Sequence, residues 1–136
     1  MNLTRGAVHN PKAVERLFEI RHAFWLPVRG SSMEPGLRTG DHVLIDPAEK
    51  IPLFPKALGT VVLLVNPEKS VAVVHRIVGS NGAVYFERGD ARNDVRPLKP
   101  EWIVGTVTHI KRNGRVRRLK KPVGWTLRSW LKRLGL

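Results

Sequence analysis

The chain has 136 residues, enough for one domain with its own core and too short for two. Its 42% hydrophobic content is that of an ordinary globular protein, and the absence of Cys excludes disulfide stapling and thiolate metal sites. The net charge of +13 is uneven: from Lys111 onward there are ten Lys/Arg and no acid, so residues 1–110 carry only +3.

In chain order, Asn10-Pro11 is a helix-start pair, and Val14, Leu17, Phe18 and Arg21 follow helical spacing, which predicts a short amphipathic helix over about 11–23. From Phe24 the texture changes to short β-type runs: Phe24–Arg29, His42–Asp46, Thr60–Asn66, Val71–Val78, Ala83–Arg88, Trp102–Lys111 and Arg115–Leu119. Asn81-Gly82 and Asn113-Gly114 read as tight hairpin turns with both central residues at positive φ. Asn66 to Ser70 reads as a longer hairpin loop, and Pro47 to Gly59, with three prolines, as an irregular loop. Seven strands at this spacing predict a mostly-β domain, a twisted sheet or a barrel.

Pro122 to Gly124 breaks the β pattern. Beyond it, Leu127, Trp130, Leu131 and Leu134 form one stripe, with Arg128, Lys132 and Arg133 on the other side. This predicts a cationic amphipathic helix that lies at a headgroup interface or packs on the sheet. The organisation is therefore a helical segment over 1–23, a β domain over 24–120 and a basic helix over 121–136. No stretch approaches the roughly 18 apolar residues that span a bilayer, and the N-terminus has no apolar run of a secretory signal.

The segment Gly30-Ser31-Ser32-Met33-Glu34-Pro35-Gly36-Leu37-Arg38-Thr39-Gly40-Asp41 is a glycine-flanked turn with two hydroxyls between two strands. Such a turn can present a serine Oγ while its own N–H points at a developing oxyanion, or its hydroxyls can merely satisfy local backbone. A serine nucleophile needs a base. His75, in Val73-Val74-His75-Arg76-Ile77-Val78, is of the right chemical type, although a lone His on an apolar strand also serves as a satisfied core residue. An imidazole in that role needs an orienting group. Gly89-Asp90-Ala91-Arg92-Asn93-Asp94 supplies two carboxylates that return toward His75 if the preceding strands form a hairpin, or a surface turn whose aspartates cap local N–H groups.

In this order the segments resemble the signal peptidase I superfamily, which the LexA-type self-cleaving repressors share. The resemblance runs from about Leu26 to Val107. It implies a LexA/signal-peptidase-like β fold with Ser32, before Met33, as nucleophile. Most bacterial members use Lys as base; Val74-His75-Arg76 is similar to the archaeal and endoplasmic-reticulum type, which gives that role to His75. By the same resemblance Asp94 is the preferred third group with Asp90 as a supporting acid, and Ser32 N–H forms half of the oxyanion hole with Ser31 assisting. Thr60 stands where the family usually has Asp, Asp94 follows Asp90 more closely than in eukaryotic members, and a polar helix takes the place of the usual N-terminal anchor.

The resemblance implies a serine endopeptidase that removes leader or signal segments after small residues, with the substrate strand near Trp25–Arg29. It needs no metal or organic cofactor, since the proton shuttle and oxyanion donors suffice. The rivals are a non-catalytic relative that binds an anionic partner through its basic end, and a self-processing regulator. The expected partners are a peptide or protein substrate and an anionic membrane surface, ahead of nucleic acid. The expected location is cytoplasmic or peripheral on the membrane.

Overall fold

A computed structural model describes residues 3–4, 7–8, 11–47, 56–66, 68 and 71–120. Two short strands, β1 (Leu3–Thr4) and β2 (Ala7–Val8), precede helix α1 (Pro11–Leu17). Strands β3 (Phe24–Pro27), β4 (His42–Asp46), β5 (Val61–Asn66), β6 (Val71–Ser80), β7 (Tyr85–Arg88) and β8 (Arg96–Leu98) follow. A single 3₁₀ turn at Pro100–Trp102 leads into β9 (Ile103–Arg112) and β10 (Arg115–Arg118).

Every strand pair is antiparallel, in the order β1-β2-β6-β5-β9-β4-β3, with β10 added to β9 and β7 and β8 added in turn to β6. The mostly-β expectation holds. The two long strands, β6 and β9, organise it, and register shifts at Leu44/Ile45, Leu63/Leu64 and Ile77/Gly79 bend the ladders. One face of the sheet buries Val43, Ile45, Val61, Leu63, Val65 and Ile110 against Val14 of α1 and Met33 and Leu37 of the serine turn. A second cluster joins Val62, Leu64, Ile77 and Leu98. Each fully buried aliphatic side chain contributes about 1.5–3 kcal/mol of transfer free energy. Among the described residues no helix is long and apolar enough to cross a membrane.

The expected helix over 11–23 is shorter. Beyond Leu17 the bonds Phe18 N–H to Glu15 O and Glu19 N–H to Arg16 O tighten the chain into a turn toward β3, and Phe18 remains 39% exposed. The Asn113-Gly114 turn forms as expected, with φ of 52° and 77° between paired Arg112 and Arg115. The other Asn-Gly does not. Ser80 pairs with Tyr85 across a four-residue loop, and only Gly82 has positive φ. There the Asn81 carboxamide oxygen accepts from the N–H groups of Ala83 and Val84, and Ser80 Oγ caps the same loop, so side-chain bonds displace the two-residue turn. The amphipathic helix expected over 121–136 lies outside the described residues, as does most of the loop after Pro47.

Candidate active site

The serine turn is closed at its neck by Val28 N–H donating to Asp41 O (2.8 Å) and Thr39 Oγ1 donating to Gly30 O (3.1 Å). Within it, Glu34 N–H bonds Ser31 O and Leu37 N–H bonds Met33 O, while Met33 and Leu37 reach down into the core. Asp41, 4% exposed, anchors the far end: it accepts from Arg38 N–H (2.9 Å) and from Arg112 Nε and Nη2 (2.9 and 2.7 Å). The Arg112 hydrogen bond holds the Asp41 carboxyl below the usual carboxylate range. Ser32 is thereby placed at the top of a turn fixed at both ends; Ser31 beside it is exposed.

His75 stands on β6 with its Nε2 3.3 Å from Ser32 Oγ and its Nδ1 3.2 Å from each carboxylate oxygen of Glu87. All three residues are at least nine-tenths buried. A carboxylate in its ionised form can only accept, so this geometry suits the tautomer with the proton on Nδ1 and the Nε2 lone pair facing the serine hydroxyl. The sheet explains the triangle. Glu87 on β7 pairs directly with Ile77 on β6, and His75 lies two residues before Ile77, hence on the same face and diagonal to Glu87.

The loop after β7 directs its two carboxylates to arginines. Neither Asp90 nor Asp94 stands against the imidazole. Asp90 accepts from Arg76 Nε and Nη2 at 2.8 Å each, and Arg76 Nη1 donates to Gly59 O. Asp94 is exposed and accepts from Arg96 two residues away, which lowers its carboxyl pKa. The loop's backbone holds the serine turn instead: Ala91 N–H donates to Ser32 O (2.9 Å), and Asp90 N–H reaches Met33 Sδ (3.4 Å). Asp90, Arg76, Gly89 and Ala91 therefore brace Ser32 and His75. Glu87 carries no motif signal of its own, since it lies outside the Gly-Asp-Ala segment, in Tyr85-Phe86-Glu87-Arg88.

Ser32 opens onto an apolar cavity of about 260 Å³ lined by Leu26, Val28, Met33, Leu37, Leu63 and Val74 among others. Its walls include β3 with the residues just after it, and the first half of β6. Among the described residues β3 pairs with β4 alone, while β6 pairs with β2 at Ala72 and with β7 from Arg76 onward, on either side of Val73 and Val74. Among the described residues no group of three His, Asp or Glu side chains is placed to hold a metal ion.

A model of the Peptidase S24-like family matches residues 10–108, a span that holds the serine turn, His75, Glu87 and both walls of the cavity. Comparison with curated proteins and with solved structures returns no match. With the family model covering most of the chain over this antiparallel β fold, the protein belongs to the Peptidase S24-like family, within the superfamily of LexA-type repressors and signal peptidases.

Proposed function

We propose that the protein is a serine endopeptidase of the signal-peptidase type, with the Ser–His arrangement of the archaeal and endoplasmic-reticulum enzymes, that trims leader or signal segments. The observation that carries this reading is the contact of Ser32 Oγ with His75 Nε2, 3.3 Å, at the mouth of a cavity bordered by the edge of β3. An extended substrate segment adds to such an edge through its main chain and drops alternate side chains into the apolar cavity. As Ser32 Oγ bonds to the scissile carbonyl carbon, its proton passes to His75 Nε2 and the carbonyl π pair moves onto oxygen. Ser32 N–H stabilises that oxyanion, with Ser31 beside it. The imidazolium then returns the proton to the leaving amine as the C–N bond breaks, and water resolves the acyl-enzyme by the same route.

The test is digestion of a set of leader-like peptides that vary the residue before the scissile bond, with cuts mapped by mass spectrometry. The expected result is cleavage after small residues, absent in Ser32→Ala. Cleavage of the protein's own chain and of no added peptide would make it a self-processing regulator instead.

We further propose that the enzyme works at an anionic membrane surface. Trp25, Leu44, His109 and Arg118 lie opposite one another across β3, β4, β9 and β10, and Pro27, His42, Lys111 and Val116 form the next row. Directly opposed residues share a face, here the one turned away from the Val43–Ile45–Ile110 core. Lys111 and Arg118 stand on it, with one carboxylate, Asp46, two residues beyond Leu44 at its margin; it leaves Trp25 41% and Val116 55% exposed, and sets Lys111 Nζ 6.0 Å from the Trp25 ring centroid. An exposed Trp among cations suits the headgroup layer. β3 also walls the cavity, so docking by this face would bring the cleft to membrane-borne leaders.

A further inference from the structure

We propose that Glu87, and neither aspartate of the following loop, is the positioning residue that fixes His75 for catalysis. The inference rests on the peptidase reading and deepens it. Glu87 is 4% exposed, yet it is a carboxylate on a strand whose neighbours Tyr85 and Phe86 are half-buried. A buried carboxylate is retained only where a partner offsets its desolvation. The hydrogen-bonded partner the structure gives its side chain is His75 Nδ1, at equal distances from both carboxylate oxygens. That geometry serves two purposes. It holds the proton on Nδ1, which leaves Nε2 free to take the serine proton, and it faces the imidazolium that forms with a negative charge at 3.2 Å.

The rival carboxylates are otherwise engaged. Both oxygens of Asp90 bind Arg76, whose side chain points to the opposite face of β6 from His75, one residue away. Asp94 pairs with Arg96 in the exposed part of the loop. For either to orient His75, it would have to leave its guanidinium and displace the buried Glu87.

The experiment uses the full chain and two readouts. The first is phosphonylation by a fluorophosphonate serine probe, in which Oγ bonds to phosphorus and fluoride leaves. Glu87→Gln should slow it on the order of 10³-fold or more, as expected when the orienting carboxylate no longer selects the tautomer. Glu87→Asp should recover a measurable part of that loss, and Asp94→Asn should react within a few-fold of the native chain. The second readout is the proton NMR resonance of the imidazole Nδ1–H, which a carboxylate partner shifts downfield. It should be present in the native chain and in Ser32→Ala, and absent from Glu87→Gln that is folded by circular dichroism. A Glu87→Gln chain that reacts within a few-fold of native, or that keeps the downfield proton, would overturn the proposal, as would a loss at Asp94→Asn of equal depth. A native chain that shows the downfield proton but never reacts with the probe would defeat the peptidase reading and leave the Glu87–His75 pairing standing.

Discussion

Gly89 faces His75 with no room for a side chain between them: a Cβ at position 89 would stand 3.0 Å from Nε2, 3.1 Å from Ser32 Cβ and 2.7 Å from Ser32 O. The last of these is backbone and cannot rotate away. Gly89→Ala should therefore push the serine turn off the imidazole. Because a misplacement of about 1 Å costs on the order of 10²-fold in rate, we expect a loss of that size in the rate of labelling by the fluorophosphonate probe with the β fold retained. Labelling kinetics alongside circular dichroism check it, and a Gly89→Ala chain with native reactivity would mean the loop yields freely.

Ser32→Ala and His75→Ala should each remove nearly all peptide cleavage, on the order of 10³-fold or more, and the double variant should be little worse than either, since the pair acts as a unit. Ser31→Ala, at an exposed position, should retain most activity. Rate measurements on the four chains with one peptide decide this. Activity surviving in Ser32→Ala but not in Ser31→Ala would reassign the nucleophile.

The Asp41–Arg112 pair ties the serine turn to the end of β9, with the Asp41 carboxyl lowered chiefly by the Arg112 hydrogen bond. A carboxyl whose folded-state pKa lies below its unfolded value adds stability above the unfolded value. That stability is lost as pH falls through the folded value. Urea unfolding should accordingly show a stability decline on acidification below the ordinary aspartate value of 3.8. Asp41→Asn should cost about 2 kcal/mol at neutral pH and flatten part of that decline. An unchanged acid limb in the variant would remove Asp41 from the account.

On the membrane side, Lys111→Glu with Arg118→Glu should weaken binding to vesicles that contain phosphatidylserine, by roughly 1 kcal/mol or more per reversed charge that reaches the surface. Cleavage of a short soluble peptide should be unaffected. Sedimentation with anionic and neutral vesicles reads the effect, with an oligonucleotide arm beside it. Equal vesicle binding by native and reversed chains, or binding to the oligonucleotide alone, contradicts the docking face.

The β class and most strand positions were legible because alternating apolar runs and Asn113-Gly114 carry local signals: His42–Asp46 falls where its run predicts it. Ser32 and His75 were legible as chemistry types in an ordered set of motifs. The partner of His75 was not, and the reason is register. A two-residue turn at Asn81-Gly82 would pair His75 with Arg88 and turn Glu87 to the opposite face. The observed four-residue loop and the extra residue at Val78 shift the ladder, pair Ile77 with Glu87 and put the carboxylate on the imidazole's side. One residue of slip exchanges the faces of a strand, and side-chain bonds from Ser80 and Asn81 set the loop that decides it. The helix stops at Leu17 for a related reason, since the turn toward β3 overrides the helical spacing of Phe18 and Arg21.

The central claim is that Ser32 is a nucleophile activated by His75. Its most direct measurement is incubation of the full chain with a fluorophosphonate probe, followed by peptide mapping of the adduct. One adduct is expected, on Ser32, formed by the native chain and absent from His75→Ala. A native chain that stays unlabelled, a label on any other serine, or undiminished labelling of Ser32 in His75→Ala would contradict it.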